Sequence, residues 1–263
     1  DSGTVDIGFH YGVAAGNLTV STNATPDQLA RLLVPAWVTV TNATYTGALV
    51  ARGTFTNGFP AGLPIDYGVI LSSGNITNAI GPNNSSRAST TNGTNGDADL
   101  DKLVGGSGTL DAAVLEFDIV STNAFVLQFQ YIFASEEYPE WIASPPDGFN
   151  DPMAIFVSTN HIGTNWIYTN NIALVPGTTN LPVTVNTING GYPPDNIPPT
   201  NPQYYQSNEP PVFNVQYDGL TVLLTAEAQI SADIPYRIKI AIADYSDSVY
   251  DSAVFIKASS PCH

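Results

Sequence analysis

The chain has few charged side chains and very few basic ones. Charged residues make up 11% of its 263 residues, against roughly a quarter in typical domains. Seven Lys and Arg oppose 23 Asp and Glu, so the formal net charge is −16. Nucleic-acid phosphates require clustered basic residues, and anionic lipid attracts them as well. The composition therefore excludes nucleic acid as a partner and disfavours anionic lipid, whereas it suits a divalent cation.

Several other absences narrow the function. The sequence has no run of about 18 or more apolar residues, so we expect no membrane insertion. Its single cysteine, Cys262, cannot form an internal disulfide. The sequence has only three histidines and lacks a Gly-x-Ser-x-Gly motif, which disfavours a serine-hydrolase mechanism. Glu136 and Glu137 are adjacent, and adjacent strand residues point to opposite faces, so they do not form a glycosidase pair. We therefore expect no enzymatic activity.

The residues that are plentiful favour β-structure. Val, Ile, Thr, Tyr and Phe are abundant, helix-forming residues are scarce, and the hydrophobic content of 43% supports a sizeable core. We predict an all-β chain with one sandwich, jelly-roll or β-barrel body over residues 17–263. One short helix is expected near residues 26–33, where Thr25 and Gln28 form a capping box and Pro26 fits the first helical position.

Apolar runs and alternating patterns locate the strands of this body. The stretch 72–110 is rich in Gly, Asn, Ser and Asp, and we expect little regular structure there. The predicted strands cover residues 37–40, 47–50, 67–71, 113–119, 125–133, 153–157, 172–175, 183–185, 220–224, 236–242 and 252–256.

The first residues of the chain alternate without interruption between apolar and small or polar side chains. A period of two places the apolar set on one face of an extended strand, and Ala14, Ala15 and Gly16 follow it. A terminal strand of this kind either pairs within its own sheet or completes the sheet of another molecule. We predict a donor-strand arm over residues 1–16, with polymerisation residues Val5, Ile7, Phe9, Tyr11 and Val13.

Acidic residues gather near predicted strand ends. Calcium takes six to eight oxygen ligands, mostly carboxylates and carbonyls from loops. If the loops around Glu136 and after Asp244 meet, they form a calcium site, and its first candidates are Glu137, Asp151, Asp244 and Asp247. The alternative is a set of solvated or turn-capping acids. The stretch from Asp97 to Asp101 begins like an EF-hand loop but lacks its glycine and its final glutamate, so it is not one.

Asn-x-Ser/Thr sequons cluster in the first third of the sequence and predict a glycosylated face. We take as candidate glycosylation sites Asn17, Asn23, Asn42, Asn75, Asn84 and Asn92, and a further sequon begins at Asn83.

From about residue 26 to 260, ordered segments of the sequence resemble the choice-of-anchor L domain family of bacterial surface proteins. The segments that carry this resemblance are Tyr67–Asn75 with Gly81–Asn83, Asp97–Leu100, Asp111–Asp118, Phe133–Tyr138, Phe149–Asp151, Asn171–Gly177, Asn186–Asn189, Tyr217–Gly219 and Ile240–Phe255. The resemblance implies a secreted or cell-surface protein but no particular activity. It does not cover the N-terminal arm, which itself resembles the donor strand of pilus-type subunits.

Two functional expectations follow. No sorting motif, basic tail or hydrophobic anchor follows Phe255, which favours retention at the surface by other copies of the same chain. We therefore expect an extracellular structural subunit that polymerises head-to-tail into a helical homopolymer by strand donation, with covalent glycans as a further expectation. The alternative is a calcium-dependent surface binding module, lectin-like or adhesive, whose arm closes its own sheet.

Overall fold

Two antiparallel sheets form the body of the chain in the computed structural model, which describes residues 16–106, 108–142, 148–159, 161–162 and 165–259. The strands are, in chain order, β1 Thr19–Ser21, β2 Thr39–Thr46, β3 Arg52–Thr56, β4 Gly68–Ser72, β5 Thr109–Val120, β6 Phe125–Ser135, β7 Met153–Ser158, β8 His161–Ile162, β9 Asn165–Trp166, β10 Tyr205–Ser207, β11 Gly219–Thr221, β12 Leu224–Ile230, β13 Tyr236–Tyr245 and β14 Ser252–Lys257.

The larger sheet, sheet A, has the strand order β1-β3-β4-β14-β6-β11-β10, and β12 also pairs with β6. The smaller sheet, sheet B, has the order β2-β5-β13-β7, and β8 pairs with β9 in a separate ribbon. Among the described residues neither sheet closes on itself, so the predicted all-β sandwich is confirmed and the β-barrel alternative is wrong.

The core between the sheets follows from the alternation of side chains along the strands. Odd-numbered residues of β6 from Leu127 to Phe133 and even-numbered residues of β13 from Ile238 to Ile242 belong to the same buried cluster. The opposite faces are covered as well. Ile132 and Phe255 pack under the loops on the outer side of sheet A, and α2, described next, covers Ala241 on the outer side of sheet B. Burial on both faces explains why β4, β7 and β14 are almost continuously apolar.

Two α-helices accompany the sheets. Helix α1 spans Pro26–Leu33, as predicted, and Thr25 and Gln28 form both hydrogen bonds of the capping box, at 3.3 and 2.8 Å. Helix α2, Ala98–Leu103, lies in the stretch for which we expected little regular structure. Asp97 caps its first turn, so the acids that begin like an EF-hand loop are a helix start instead.

Some predicted strands take other forms. The strand predicted at residues 47–50 does not form, and a 3-10 turn covers Leu49–Ala51. Residues 172–175 and 183–185 form isolated bridges beside β7, and residues 220–224 are divided between β11 and β12. These are short apolar runs, for which periodicity does not distinguish a strand from a buried loop. The polymerisation residues Val5, Ile7, Phe9, Tyr11 and Val13, like Cys262, lie outside the described residues.

Candidate metal centre

Strands from both sheets bring acidic residues to one end of the sandwich. In sheet A the last residue of β6, Ser135, pairs with the first residue of β14, Ser252. In sheet B the first residue of β7, Met153, pairs with Ile242 near the end of β13. The residues that lie at or just beyond these strand ends are therefore close in space, and we call them the acidic cluster: Glu137, Asp151, Asp244, Asp247 and Asp251.

Alternation along the strands decides which acids face each other. Glu137 continues the odd-numbered, core-facing series of β6, and Asp244 continues the even-numbered, core-facing series of β13. Glu136 has the opposite parity, and Asp218 is the acid whose charge acts on it most, whereas the acids whose charges act on Glu137 are Asp151, Asp247 and Asp244. The two adjacent glutamates thus belong to different groups of acids.

Two members of the acidic cluster are buried without hydrogen bonds. Glu137 and Asp244 are both 0% exposed, and neither oxygen of either carboxyl group has a hydrogen-bond partner. An ionised carboxylate in such a place is strongly unfavourable unless a cation or a proton compensates it. The pair therefore requires a positive charge that the described protein groups do not supply.

Asp151 lies in the same cluster but is held firmly. The Tyr245 N–H donates to Oδ1 of Asp151 at 2.8 Å, and the Ser252 hydroxyl donates to Oδ2 at 2.6 Å. Asp151 is also fully buried. Each of its oxygens has one donor and retains capacity to bind a further group.

Burial and mutual repulsion raise the pKa values of these acids. Desolvation, followed by the charge of Asp151, raises the pKa of Glu137 to about 11. Desolvation likewise raises the pKa of Asp151 to about 8. The pKa of Asp244 is raised well above its ordinary value by desolvation and by Asp151, and the nearby Ser73 hydroxyl offsets part of this rise without forming a hydrogen bond of regular geometry to either Asp244 oxygen. Without a cation, these groups therefore hold protons at pH values where ordinary carboxyl groups are ionised.

Basic side chains neutralise half-buried acids elsewhere in the chain but not the acids of this cluster. Lys239 Nζ lies 2.7 Å from an oxygen of Asp97 and 2.7 Å from an oxygen of Asp99. Arg237 lies 3.0 Å from Asp118. In the described part of the chain, no ion pair involves a member of the acidic cluster.

The remaining two members have other roles. Asp251 is buried, and it accepts hydrogen bonds from the Thr90 N–H at 3.0 Å, from Asn78 at 2.8 Å and from Ser89 at 3.2 Å. These bonds fix the stretch of chain that contains Asn78, Ser89 and Thr90. Asp251 therefore has a structural role. Asp247 is half-buried at the outer side of the cluster and accepts a 3.2 Å bond from the Val249 N–H.

Aromatic residues adjoin the acidic cluster, and none of them was among the predicted site residues. The Trp141 ring lies 5.3 Å from the Tyr250 ring and 5.7 Å from the Phe149 ring, centroid to centroid. The Trp141 N–H donates to the Glu137 carbonyl at 3.0 Å, and the Trp141 side chain is 38% exposed. Their spacing in the sequence gave no signal, because Trp141 and Phe149 come from the connection between β6 and β7, whereas Tyr250 comes from the connection between β13 and β14.

A second, smaller group of acids lies on the outer side of sheet A. Oε1 of Glu136 and Oδ2 of Asp218 are buried without partners, whereas Asn83 donates to Oδ1 of Asp218 at 2.7 Å. Desolvation raises the pKa of Glu136 to about 10 and that of Asp218 to about 7. Asp218 was not among the predicted candidates, because it stands alone in its loop.

The structure thus brings together all four predicted calcium candidates, Glu137, Asp151, Asp244 and Asp247. Among the residues that the structure describes, no three Asp, Glu, His or Cys side chains are arranged so that they could hold one metal ion. Chemically, the arrangement offers carboxylate oxygens, which suit a hard cation such as calcium.

The asparagines of the sequons differ in their exposure to solvent. Asn17, Asn23, Asn42 and Asn84 are exposed, whereas Asn75 and Asn92 are half-buried. The Asn92 amide nitrogen donates to the Ser73 carbonyl at 2.7 Å, and the Asn42 amide nitrogen donates to Asp118 at 2.7 Å.

Comparisons with known proteins support the resemblance seen in the sequence. A model of the choice-of-anchor L domain family matches residues 18–261. No curated protein and no solved structure matches the chain. No helix in the described ranges has the length and apolar character needed to cross a membrane. Because the family match covers nearly the whole chain, this protein belongs to the choice-of-anchor L domain family and is a cell-surface or secreted protein.

Proposed function

We propose that this chain is a structural subunit of a secreted bacterial fibre or pilus. Each subunit donates its N-terminal strand, residues 4–13, to a sheet of the next copy. Strand addition supplies main-chain hydrogen bonds for affinity, and the alternating apolar residues fix the register. The subunit acts through assembly and not through catalysis.

The observation that carries this proposal is an incompletely paired strand in sheet A. β12 pairs with β6 from Tyr131 to Phe125, but on the other side β14 pairs with β6 only from Ser135 to Tyr131. In the described part of the chain, residues 125–130 therefore have a strand neighbour on one side only. An unpaired edge inside a sheet is a template for an incoming strand.

The surroundings of this edge suit a segment with apolar side chains. Phe125, Val126, Gln128, Pro35 and Lys257 are among the residues that line a cleft of about 260 Å³ beside it. Val126 is 47% exposed, and Trp37, which is 55% exposed, packs against Phe125 with ring centroids 4.7 Å apart. A donated strand would cover these exposed apolar surfaces, and burying each large side chain is worth roughly 1.5–3 kcal/mol.

The donor and acceptor surfaces differ, so the contact is heterologous. Gly16, where the described chain begins, is fixed beside Pro60 by a 3.0 Å hydrogen bond to its carbonyl. The acceptor edge begins at Phe125 in a different part of sheet A, separated from β1 and β3 by β4 and β14. A head-to-tail contact of this kind propagates as an open helix unless its rotation closes a ring.

Electron microscopy of the purified protein tests the proposal. The full chain is expected to form fibres, and deletion of residues 1–15 should give soluble monomers. Phe9→Asp should also block assembly, because it places an unpaired carboxylate in the buried face of the joint. His10→Asp is the matched control, since it changes the opposite face and should leave the fibres intact. Fibres from the deletion variant or from Phe9→Asp would contradict the proposal.

Disulfide trapping tests the acceptor edge. In a Cys262→Ser background, Gln128→Cys is combined in turn with cysteine at Asp6, Gly8 or His10. At least one combination should give multimers linked between copies on oxidation, whereas Glu227→Cys with the same partners should not. Fibres that form normally but never crosslink through position 128 would exclude this edge as the acceptor.

The second candidate function is a calcium-dependent surface binding module, and the exposed Trp141 with the half-buried Tyr250 beside the acidic cluster favours it. Trp141 and Tyr250 resemble a platform on which a sugar ring can stack, and a neighbouring ion would hold their loops in place. Calcium chelation should then abolish binding to glycans displayed on an array, as should Trp141→Ala. Unchanged glycan binding in the chelator would reject this candidate.

A further inference from the structure

We infer that one calcium ion binds between the two sheets at the acidic cluster, with Glu137, Asp244 and Asp151 as protein ligands. This inference is independent of strand donation, since it concerns residues of the sandwich body alone.

The first argument is the unbalanced charge of the site. Glu137 and Asp244 are fully buried, and all four of their carboxylate oxygens lack hydrogen-bond partners. Buried polar groups in folded proteins are almost always satisfied, so each exception requires an explanation. Elsewhere in this chain the half-buried Asp97 has a basic partner in Lys239, and the buried Asp251 is satisfied by three hydrogen-bond donors. A bound cation supplies the same compensation at this site.

The second argument concerns which cation fits. The side chains of the acidic cluster offer oxygen ligands only, which excludes a preference for soft metals. The three carboxylates carry more negative charge than a monovalent ion balances. Magnesium retains several water molecules when it binds, whereas Glu137, Asp151 and Asp244 are each 0% exposed. Calcium accepts a complete and irregular shell of protein oxygens, so it is the ion that suits this buried position.

The third argument separates the ligands from the supporting acids. Asp151 is oriented by Tyr245 and Ser252, so it forms the fixed side of the site. Glu137 and Asp244 have no hydrogen bonds that an ion would have to break, and binding requires their side chains to turn toward an ion beside Asp151. Asp251 is committed to Thr90, Asn78 and Ser89 and stays outside the shell.

An ion at this position would join elements from both sheets. Glu137 follows β6 of sheet A, Asp244 lies in β13 of sheet B, and Asp151 precedes β7. Calcium would therefore replace the repulsion between these carboxylates by coordination of all three to one ion. The loops that carry Trp141 and Tyr250 are attached to these same residues, so the ion would also order the aromatic surface.

Calorimetric titration and thermal unfolding of the full chain test the inference. The protein is first stripped of metal with a chelator, and the chelator is then removed. Calcium chloride should bind with a stoichiometry of about one per chain and should release protons. At a hundred-fold excess over Kd, the Tm should rise by about 5–10 °C. Magnesium chloride should give a much smaller rise. The absence of both binding heat and a Tm shift with calcium would overturn the inference.

Variants separate calcium binding from an acid pair that is simply protonated. Glu137→Gln and Asp244→Asn keep the shape of the site but remove a charged ligand, so each should abolish the calcium-dependent rise in Tm. In the chelator, both variants should be at least as stable as the original chain. Glu227→Gln changes an exposed acid and should keep the full calcium response. A full response in both site variants would overturn the inference.

Terbium luminescence gives a readout that does not depend on stability. Terbium replaces calcium, and excitation through Trp141 should produce emission that calcium displaces. Trp141→Phe should reduce this emission strongly while the calorimetric calcium affinity stays within about two-fold. Emission that calcium cannot displace, in the original chain, would count against a specific site.

Discussion

The Ser252 hydroxyl donates a hydrogen bond of 2.6 Å to Oδ2 of Asp151, although the two residues are 101 positions apart. Ser252 begins β14 in sheet A, and Asp151 directly precedes Pro152, which comes before β7 in sheet B. Both side chains are buried. This contact therefore links the two sheets at the end where the acidic cluster lies, and it orients the carboxylate of Asp151 beside Glu137 and Asp244.

Ser252→Ala is expected to lower the free energy of unfolding by about 1–3 kcal/mol, because it leaves a buried oxygen of Asp151 without its hydrogen-bond donor. Urea denaturation in the presence of a chelator measures this change without a contribution from bound metal. Ser231→Ala is the control, because Ser231 is exposed, and it should change the stability by less than about 0.5 kcal/mol. Equal stability of the two variants would show that the link between the sheets carries no net energy.

The stability of the calcium-free chain should depend on pH in an unusual direction. The pKa of Asp151 is raised by burial to about 8 and that of Glu137 to about 11, both above the values of an unfolded chain. The native state therefore binds these protons more tightly, and its stability falls as pH rises through the two pKa values. The Tm in chelator should decrease between about pH 6 and pH 10.

Saturating calcium should flatten this pH profile, because the ion stabilises the ionised carboxylates. Glu137→Gln should remove part of the slope in chelator, which separates its contribution from those of other titrating groups. A calcium-free Tm that stays constant over the whole interval would contradict the assigned burial of these acids.

Lys239 and Lys102 offer a matched comparison of a buried and an exposed partner of the same acid. The Lys239 side chain is 6% exposed and pairs with Asp97 and Asp99, whereas the Lys102 side chain is 70% exposed and pairs with Asp99 alone. Lys239→Met should lower the free energy of unfolding by about 1.5–3 kcal/mol, because it removes a largely buried ammonium group and leaves the half-buried Asp97 without a basic partner. Lys102→Met should cost at most about 1 kcal/mol. Chemical denaturation of both variants at neutral pH would reveal this difference, and equal costs would contradict it.

Glycan attachment should follow the accessibility of the asparagine amides. If the chain is glycosylated, mass spectrometry of its peptides should find sugar on Asn17, Asn23 and Asn84, which are exposed. Asn92 should be unmodified, because its amide nitrogen is bonded to the Ser73 carbonyl inside the fold. Occupancy of Asn92 in the folded protein would contradict this placement.

Local sequence patterns predicted much of the fold. The alternation in residues 113–119 and the apolar runs at 125–133, 153–157, 236–242 and 252–256 correspond to β5, β6, β7, β13 and β14. The capping residues Thr25 and Gln28 predicted α1 because a helix start depends on neighbours in the chain. Helix α2 was missed, since Ala98–Leu103 is short and lies in a Gly- and Asn-rich stretch without an apolar period.

The sequence by itself determined the all-β class, the acidic character and the set of acids that gather near strand ends. Only the tertiary structure decided which of those acids meet. Glu136 and Glu137 are neighbours in the chain but belong to different groups, because strand alternation sends them to opposite sides of sheet A. Burial and hydrogen bonding then distinguish Asp251, which holds a loop, from Glu137 and Asp244, which lack partners. These properties depend on what packs around each carboxyl group, and residues far apart in the sequence supply those neighbours.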